Sequence, residues 1–90
     1  PAVVAEVLRI AAGQCELCEC AAPFLRADGS PYLEEHHVRT LAEGGADTVD
    51  NAVALCPTCH RLLHHAGALD REAALSRLRE RVARLSPVQV

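Results

Sequence analysis

Cys15-Glu16-Leu17-Cys18 and Cys56-Pro57-Thr58-Cys59 are both C-x2-C knuckles. Zinc takes four soft ligands at the corners of a tetrahedron. A C-x2-C turn sets both sulfurs on one side of a tight bend, so two such turns can supply a complete structural Zn2+ site. Two other uses of the pattern stay open: buried free thiols, and a redox pair, although the latter calls for a βαβ context that this sequence lacks. Cys20 adds a C-x4-C variant in which it replaces Cys18; the simpler reading makes it a bystander. Structural zinc contributes on the order of 10–16 kcal/mol in small domains, so its loss is expected to unfold this one.

Five histidines form a second set, at positions 36, 37, 60, 64 and 65. His60 and His64 are four apart on an expected helix and face one side of it. That spacing suits two ligands of one ion. His36, at the end of an expected strand, completes a three-histidine group with open positions, the pattern of a catalytic rather than a closed structural site. His37 is then free beside the ion and, as a neutral imidazole, suited to take a proton from water. Adjacent strand residues point to opposite faces, so a shared site for His36 and His37 calls for the strand to end or bulge there. Asn51 either fixes the loop or orients the base through its amide. His65 points away from His64 around the helix and reads as surface or substrate-side. Glu34 and Glu35 are ligands, acids or simply solvated; alternation puts Glu35 on the side of His37.

The elements that must position these groups follow from periodicity. Val4, Val7, Leu8 and Ala11 mark a helix over 2–12 that Gly13 stops. Residues 14–31 carry the first knuckle and the turn Asp28-Gly29-Ser30-Pro31. Strands are expected at 32–38 and 52–55, with a polar loop at 39–50 centred on Gly44-Gly45. Thr58 is a candidate N-cap for a helix through 59–66 that Gly67 ends, and Asp70 for a last helix over 71–85. The stripe Leu75, Leu78, Val82 and Leu85 on that helix either packs on the domain's own core or forms a homodimer contact. The whole chain, 1–90, reads as a single α+β domain: an N-terminal helix over 1–13, a zinc-stapled centre over 14–67 and a C-terminal helix over 68–90.

Composition agrees with a stapled domain. Ninety residues make one small unit, and of the hydrophobic half of the chain 16 residues are alanine and two aromatic, Phe24 and Tyr32. Such a core is thin, and small scaffolds of this kind need a staple. Five cysteines, an odd number, fit a full disulfide framework poorly. No apolar run is long enough for a bilayer span, because Arg9 interrupts the longest early one. The opening Pro-Ala-Val-Val does not resemble a secretory signal. A reducing cytoplasm is therefore expected, and the absence of a starting Met points to an excised domain or a processed chain. All nine basic residues are Arg and the formal net charge is -3. A domain that found DNA by its own charge would be strongly basic.

The run Tyr32-Leu33-Glu34-Glu35-His36-His37-Val38, then Gly44-Gly45-Ala46-Asp47-Thr48, Asn51, Ala54-Leu55-Cys56-Pro57-Thr58-Cys59-His60 and His64 resembles the HNH nucleases. These have the ββα-metal, treble-clef-like fold, and the similarity is greatest to the McrA-like branch found in modification-dependent restriction enzymes. It covers about residues 14–66. The resemblance implies a metal-dependent endonuclease that hydrolyses phosphodiester bonds of double-stranded DNA, leaving a 5′-phosphate and a 3′-hydroxyl. It implies His36, His60 and His64 as ligands of a catalytic divalent ion (Mg2+, Mn2+, Ni2+, Co2+ or Zn2+) and His37 as general base. Asn51 would hold the base-bearing loop, and Cys15, Cys18, Cys56 and Cys59 the structural zinc. Glu35 departs from the pattern, standing where an apolar residue is usual, and Cys20 is extra. Arg39 and Arg61 are candidates for phosphate contacts. A DNA-recognition domain in the same parent chain is expected, since nothing of that kind fits in 90 residues. The competing expectation is a non-catalytic zinc module that binds nucleic acid or protein, for which the histidine set would have no use.

Overall fold

The structure, a computed structural model, describes residues 2–85, with side chains through residue 83. Its described elements are helix α1 (Ala2–Ala11), strand β1 (Glu34–His37), strand β2 (Ala52–Leu55), helix α2 (Pro57–His65) and helix α3 (Ala68–Leu85). Two single-turn 3-10 helices, Leu41–Glu43 and Val49–Asn51, shape the loop between the strands. The strands pair antiparallel in unbroken register, from Glu34 opposite Leu55 to His37 opposite Ala52. The result is an α+β domain whose centre is a ββα unit, strand–loop–strand–helix, with a helix on either side. No described helix is long and apolar enough to cross a membrane.

β2 is the axis of the core. All four of its residues are buried, which explains a continuous apolar run where a half-exposed strand would alternate. Val7 and Ala11 of α1, Leu33 beside β1, Leu63 of α2, and Ala74 and Leu78 of α3 close around it. Val82 is buried as well and Leu75 half-buried against the core, so α3 turns its expected stripe inward. The stripe's last member, Leu85, lies outside the described side chains, as residues 86–90 lie outside the described chain. Alanine at 52 and 54 fits this crowding, because small side chains let the layers approach.

Several boundaries differ from those read in the sequence, each for a local reason. β1 is shorter than 32–38 because β2 offers only four partners; Val38 continues the contact with one bond, its amide donating to the Asn51 carbonyl at 2.9 Å. α2 begins before Thr58. Pro57 occupies its first turn, where a fixed φ and a missing N–H cost nothing, and Cys56 is the N-cap, its sulfur accepting from the Cys59 amide. α3 begins at Ala68, with the Arg71 amide donating to the Gly67 carbonyl. Asp70 therefore lies within the first turn, where its charge suits the helix dipole without being the cap. α1 ends as expected at Ala12 and Gly13, both with positive φ.

The first cysteine knuckle covers the free edge of β2. The Glu16 amide donates to the Ala54 carbonyl at 2.9 Å, and the Glu16 carboxylate accepts from the Ala54 amide at 2.8 Å. One residue thus stands in for a third strand. Its second oxygen accepts from Arg81 Nε on α3, and Arg77 of α3 donates to the Leu17 carbonyl at 2.9 Å. The Glu16 side chain is 2% exposed. Removing one member of such a buried, charge-assisted set leaves the others desolvated and unpaired. Glu16→Ala is expected to lower stability by about 2–4 kcal/mol in urea unfolding of the zinc-loaded protein. A loss below about 0.5 kcal/mol, the range of an ordinary surface change, would refute the clamp.

Candidate metal centres and active site

The two knuckles meet. Cys15, Cys18, Cys56 and Cys59 bring their sulfurs within 4.8 Å of one another, and Cys18 and Cys56 Sγ are 4.0 Å apart. Four sulfurs about 2.3 Å from a central zinc would be roughly 3.8 Å apart along each tetrahedral edge, so the cluster fits zinc as it stands. Its electrostatics call for a cation. Burial pushes the Cys59 thiol far up and Cys56 up, and Cys18, which accepts from the Cys20 backbone amide, is drawn down to about 7. A buried thiolate cluster without a cation repels itself; a divalent ion removes that penalty. Cys20 stays outside the four, exposed, its sulfur 3.8 Å from the Cys18 carbonyl.

His36, from β1, and His60 and His64, from successive turns of α2, form the second cluster, again with donor atoms within 4.8 Å. The Nε2 atoms of His60 and His64 face each other at 3.2 Å, close to the roughly 3.4 Å edge of a tetrahedron with 2.0–2.1 Å metal–nitrogen bonds. Glu34 fixes the tautomer of His60. Its carboxylate accepts from the Tyr32 hydroxyl at 2.6 Å and from His60 Nδ1 at 2.7 Å, and these bonds hold Glu34 below the usual carboxylate range. An ionised carboxylate only accepts, so the proton is on Nδ1 and Nε2 keeps its lone pair for an ion. This is the carboxylate–histidine arrangement that orients metal ligands. His36 is 9% exposed. Burial first, then His60, His64 and His37, push it from 6.5 down to about 4, which leaves the ring neutral and able to ligate.

His37 needs no bulge to share the site. β1 is regular, and its alternation places Glu34 and His36 on one face, Glu35 and His37 on the other. Both faces nevertheless line one cavity of about 210 Å³, with Glu35, His36, His37, Thr40, His60 and His64 around it, because the strand ends there. His37 Nε2 is 2.9 Å from Asp47 Oδ1. A carboxylate at that distance accepts a hydrogen bond from Nε2–H, which leaves the Nδ1 lone pair free.

Asn51 holds the loop that carries Asp47. Its side-chain oxygen accepts from the Arg39 amide at 2.9 Å, and its nitrogen donates to the carbonyls of Arg39 at 2.9 Å and Ala46 at 2.8 Å. Of the two uses expected for Asn51, the geometry is that of a loop clamp: its side-chain bonds go to the Arg39 and Ala46 backbone. Gly45 makes the clamp fit: a Cβ there would stand 1.9 Å from the Arg39 carbonyl oxygen and 2.9 Å from Asn51 Nδ2. Thr40 and Glu43 cap each other reciprocally within the same loop. Arg39 and Arg61 are exposed, and His65 is exposed beside His64. Sequence reasoning left Asp47 without a role and Glu34 undecided. Period-2 spacing from His36 was a usable signal for Glu34; a loop residue such as Asp47 carries no spacing signal.

The family model for HNH endonucleases matches residues 15–66. The Type IV methyl-directed restriction enzyme EcoKMcrA of Escherichia coli (strain K12) is 58% identical over 65 residues, which are 72% of this chain and 24% of that protein. The solved structure of the Type IV phosphorothioation-dependent restriction endonuclease ScoMcrA superposes on 94% of this chain and 16% of its own, with 34% sequence identity and a TM-score of 0.79. The chain spans about a quarter of the length of the first and about a sixth of the second.

The depression of His36 sets a pH dependence. Its folded-state value lies below its unfolded one, so it contributes stability above 6.5 that is lost as pH falls towards about 4. Without metal in the histidine cluster, wild-type stability should fall more steeply over that interval than that of His36→Gln, measured by urea unfolding with zinc kept on the cysteines. Parallel slopes would contradict the assignment. Asn51→Ala should speed hydrogen exchange at the Arg39 amide while leaving the Val53 amide protected; unchanged exchange at Arg39 would show that the clamp is not formed in solution.

Proposed function

This chain belongs to the HNH endonuclease family, and from that premise we propose that it is the metal-dependent DNA-cleaving module of a modification-dependent restriction enzyme. The observation that carries this reading is the convergence of His36, His60 and His64 beside His37 at one strand end. The site would act on a phosphodiester of double-stranded DNA. His36, His60 and His64 would hold the catalytic divalent ion, whose chemistry is charge stabilisation of the scissile phosphate and the departing oxygen. His37 Nδ1 takes a proton from the attacking water, while Asp47 accepts a hydrogen bond from Nε2–H, which stays on the ring, and so stabilises the imidazolium that forms. Glu34, itself held by Tyr32, keeps His60 in its ligating tautomer. Asn51 and Gly45 set the loop that brings Asp47 to His37. Arg39 and Arg61 contact backbone phosphates.

Cys15, Cys18, Cys56 and Cys59 would carry a structural zinc that locks α2 to the rest of the domain, which suits a cytoplasm that keeps thiols reduced. The acidic balance of the chain supports delivery to DNA by a further, base-reading part of the same protein. Two substitutions separate these roles in the intact protein. His37→Ala should lower the rate of DNA cleavage by about 10²–10⁴-fold with the fold and zinc content unchanged, because His37 is not among the proposed ligands; wild-type cleavage by this variant would remove His37 as the base. Cys59→Ser should lose zinc and cooperative unfolding together, read by metal analysis and circular dichroism. A well-folded, zinc-free Cys59→Ser protein would contradict the staple.

A further inference from the structure

The two faces of β1 carry two different ligand sets. Beyond the cysteine and histidine clusters, Glu35, His37 and Asp47 also bring one donor atom each within 4.8 Å of one another. We propose that these three form a second, weaker divalent-cation site whose occupation switches off His37 as a base. Three observations carry it. His37 Nε2 and Asp47 Oδ1 are 2.9 Å apart, and two donors each about 2.1 Å from an ion at right angles would be about 3.0 Å apart, so these two already stand at a ligating separation, with a Glu35 oxygen within 4.8 Å. Glu35 Oε2 is shielded from solvent with no hydrogen-bond partner. Such an oxygen carries an uncompensated desolvation cost that a cation would remove. Finally, two carboxylates and one neutral imidazole hold a formal charge of -2, which a single divalent ion neutralises.

The chemistry of the switch is a change of tautomer. In the metal-free site the imidazole proton is on Nε2, donated to Asp47, and Nδ1 is free. An ion bound by Glu35 and Asp47 takes the Nε2 lone pair, and the single proton of the neutral ring moves to Nδ1 by exchange with solvent. Nδ1 then has no lone pair for a proton from water. One imidazole, one proton and one ion are conserved throughout. The Asp47 side chain is 63% exposed, so the ion has a path from solvent and remains exchangeable. Imidazole and carboxylate together suit Zn2+ or Mn2+ better than they suit a large oxygen-only ion.

The consequence for cleavage rests on His37 being the base, whereas the binding site does not. The test uses the intact protein and Zn2+ as the probe. In equilibrium dialysis at rising free Zn2+, the wild type should take up one ion more than Glu35→Gln. Equal uptake throughout would overturn the site. On the wild type alone, His37 Nε2 should show a coordination shift in its nitrogen resonance in a later phase than His36, His60 and His64; no such shift would overturn it as well, whatever the folding of the variant. Cleavage should fall as the later phase fills, with Glu35→Gln needing at least about 10-fold more Zn2+ for the same inhibition. Inhibition identical in both proteins would refute the switch. A protein that takes up the extra ion and cuts no DNA under any condition would count against the nuclease reading while leaving the site in place.

Discussion

Everything in this domain hangs on the meeting of two cysteine turns that lie far apart in the chain. The apolar residues available are mostly small, and they make a core only one strand deep, with β2 buried between helices. Hydrophobic burial on that scale leaves little surplus over the entropy of ordering 90 residues. The four sulfurs supply the missing constraint, and they do so at the point where it governs the site. One knuckle is the edge cover of β2 through Glu16; the other is the N-cap of α2 through Cys56. Bringing their sulfurs to a common centre fixes the angle between sheet and helix. His36 comes from the sheet, and His60 and His64 from the helix. The distance between those rings is therefore tied to sulfur geometry some residues away, as well as to the Glu34–His60 bond from β1 to α2.

Much of this was legible in the sequence, for identifiable reasons. The C-x2-C spacings, the i, i+4 pair His60 and His64, and the uninterrupted Ala52-Val53-Ala54-Leu55 run each encode a local geometry that survives into the fold. The parts that escaped depend on tertiary neighbours. Thr58 has the chemistry of an N-cap, yet Cys56, two residues earlier, takes the position, with Pro57 as the first helical residue. Glu16 reads as a polar spacer in a knuckle and is a buried edge strand in miniature. Alternation called for the strand to end or bulge at His36 and His37, and β1 does end at His37. A strand that ends at the site satisfies the chemistry from both faces at once. Asp47 was invisible for a related reason: its place beside His37 is made by Asn51 and by the missing side chain of Gly45.

The same alternation organises the electrostatics. In the proposed function, Glu34 on one face would suit His60 to ligation by holding its Nδ1 proton, and Asp47 on the other would suit His37 to act as a base by holding its Nε2 proton. The two imidazoles are set in opposite tautomers by carboxylates of the same kind, and only their positions relative to the strand decide which is which. Neutral histidine is required in both cases. Burial enforces this for His36, and clustering of four rings around one cavity adds to it, since each protonated neighbour would raise the cost of the next.

Glu35 upsets this balance in an instructive way. An apolar residue at that position would pack under the strand and leave His37 with one carboxylate, enough to orient it. A second carboxylate, with an oxygen that finds no partner, brings negative charge towards the base and makes the pair a ligand set as well as an orienting one. On the proposal above, orientation and metal binding would draw on the same atoms, so what would make His37 a good base in dilute cation would make it a target in concentrated cation. The formal charge of the loaded domain sharpens the point. Four thiolates offset two divalent ions, so the chain remains at its formal -3 with both main clusters filled, and the residual negative charge is what would draw a further cation to the exposed side of β1.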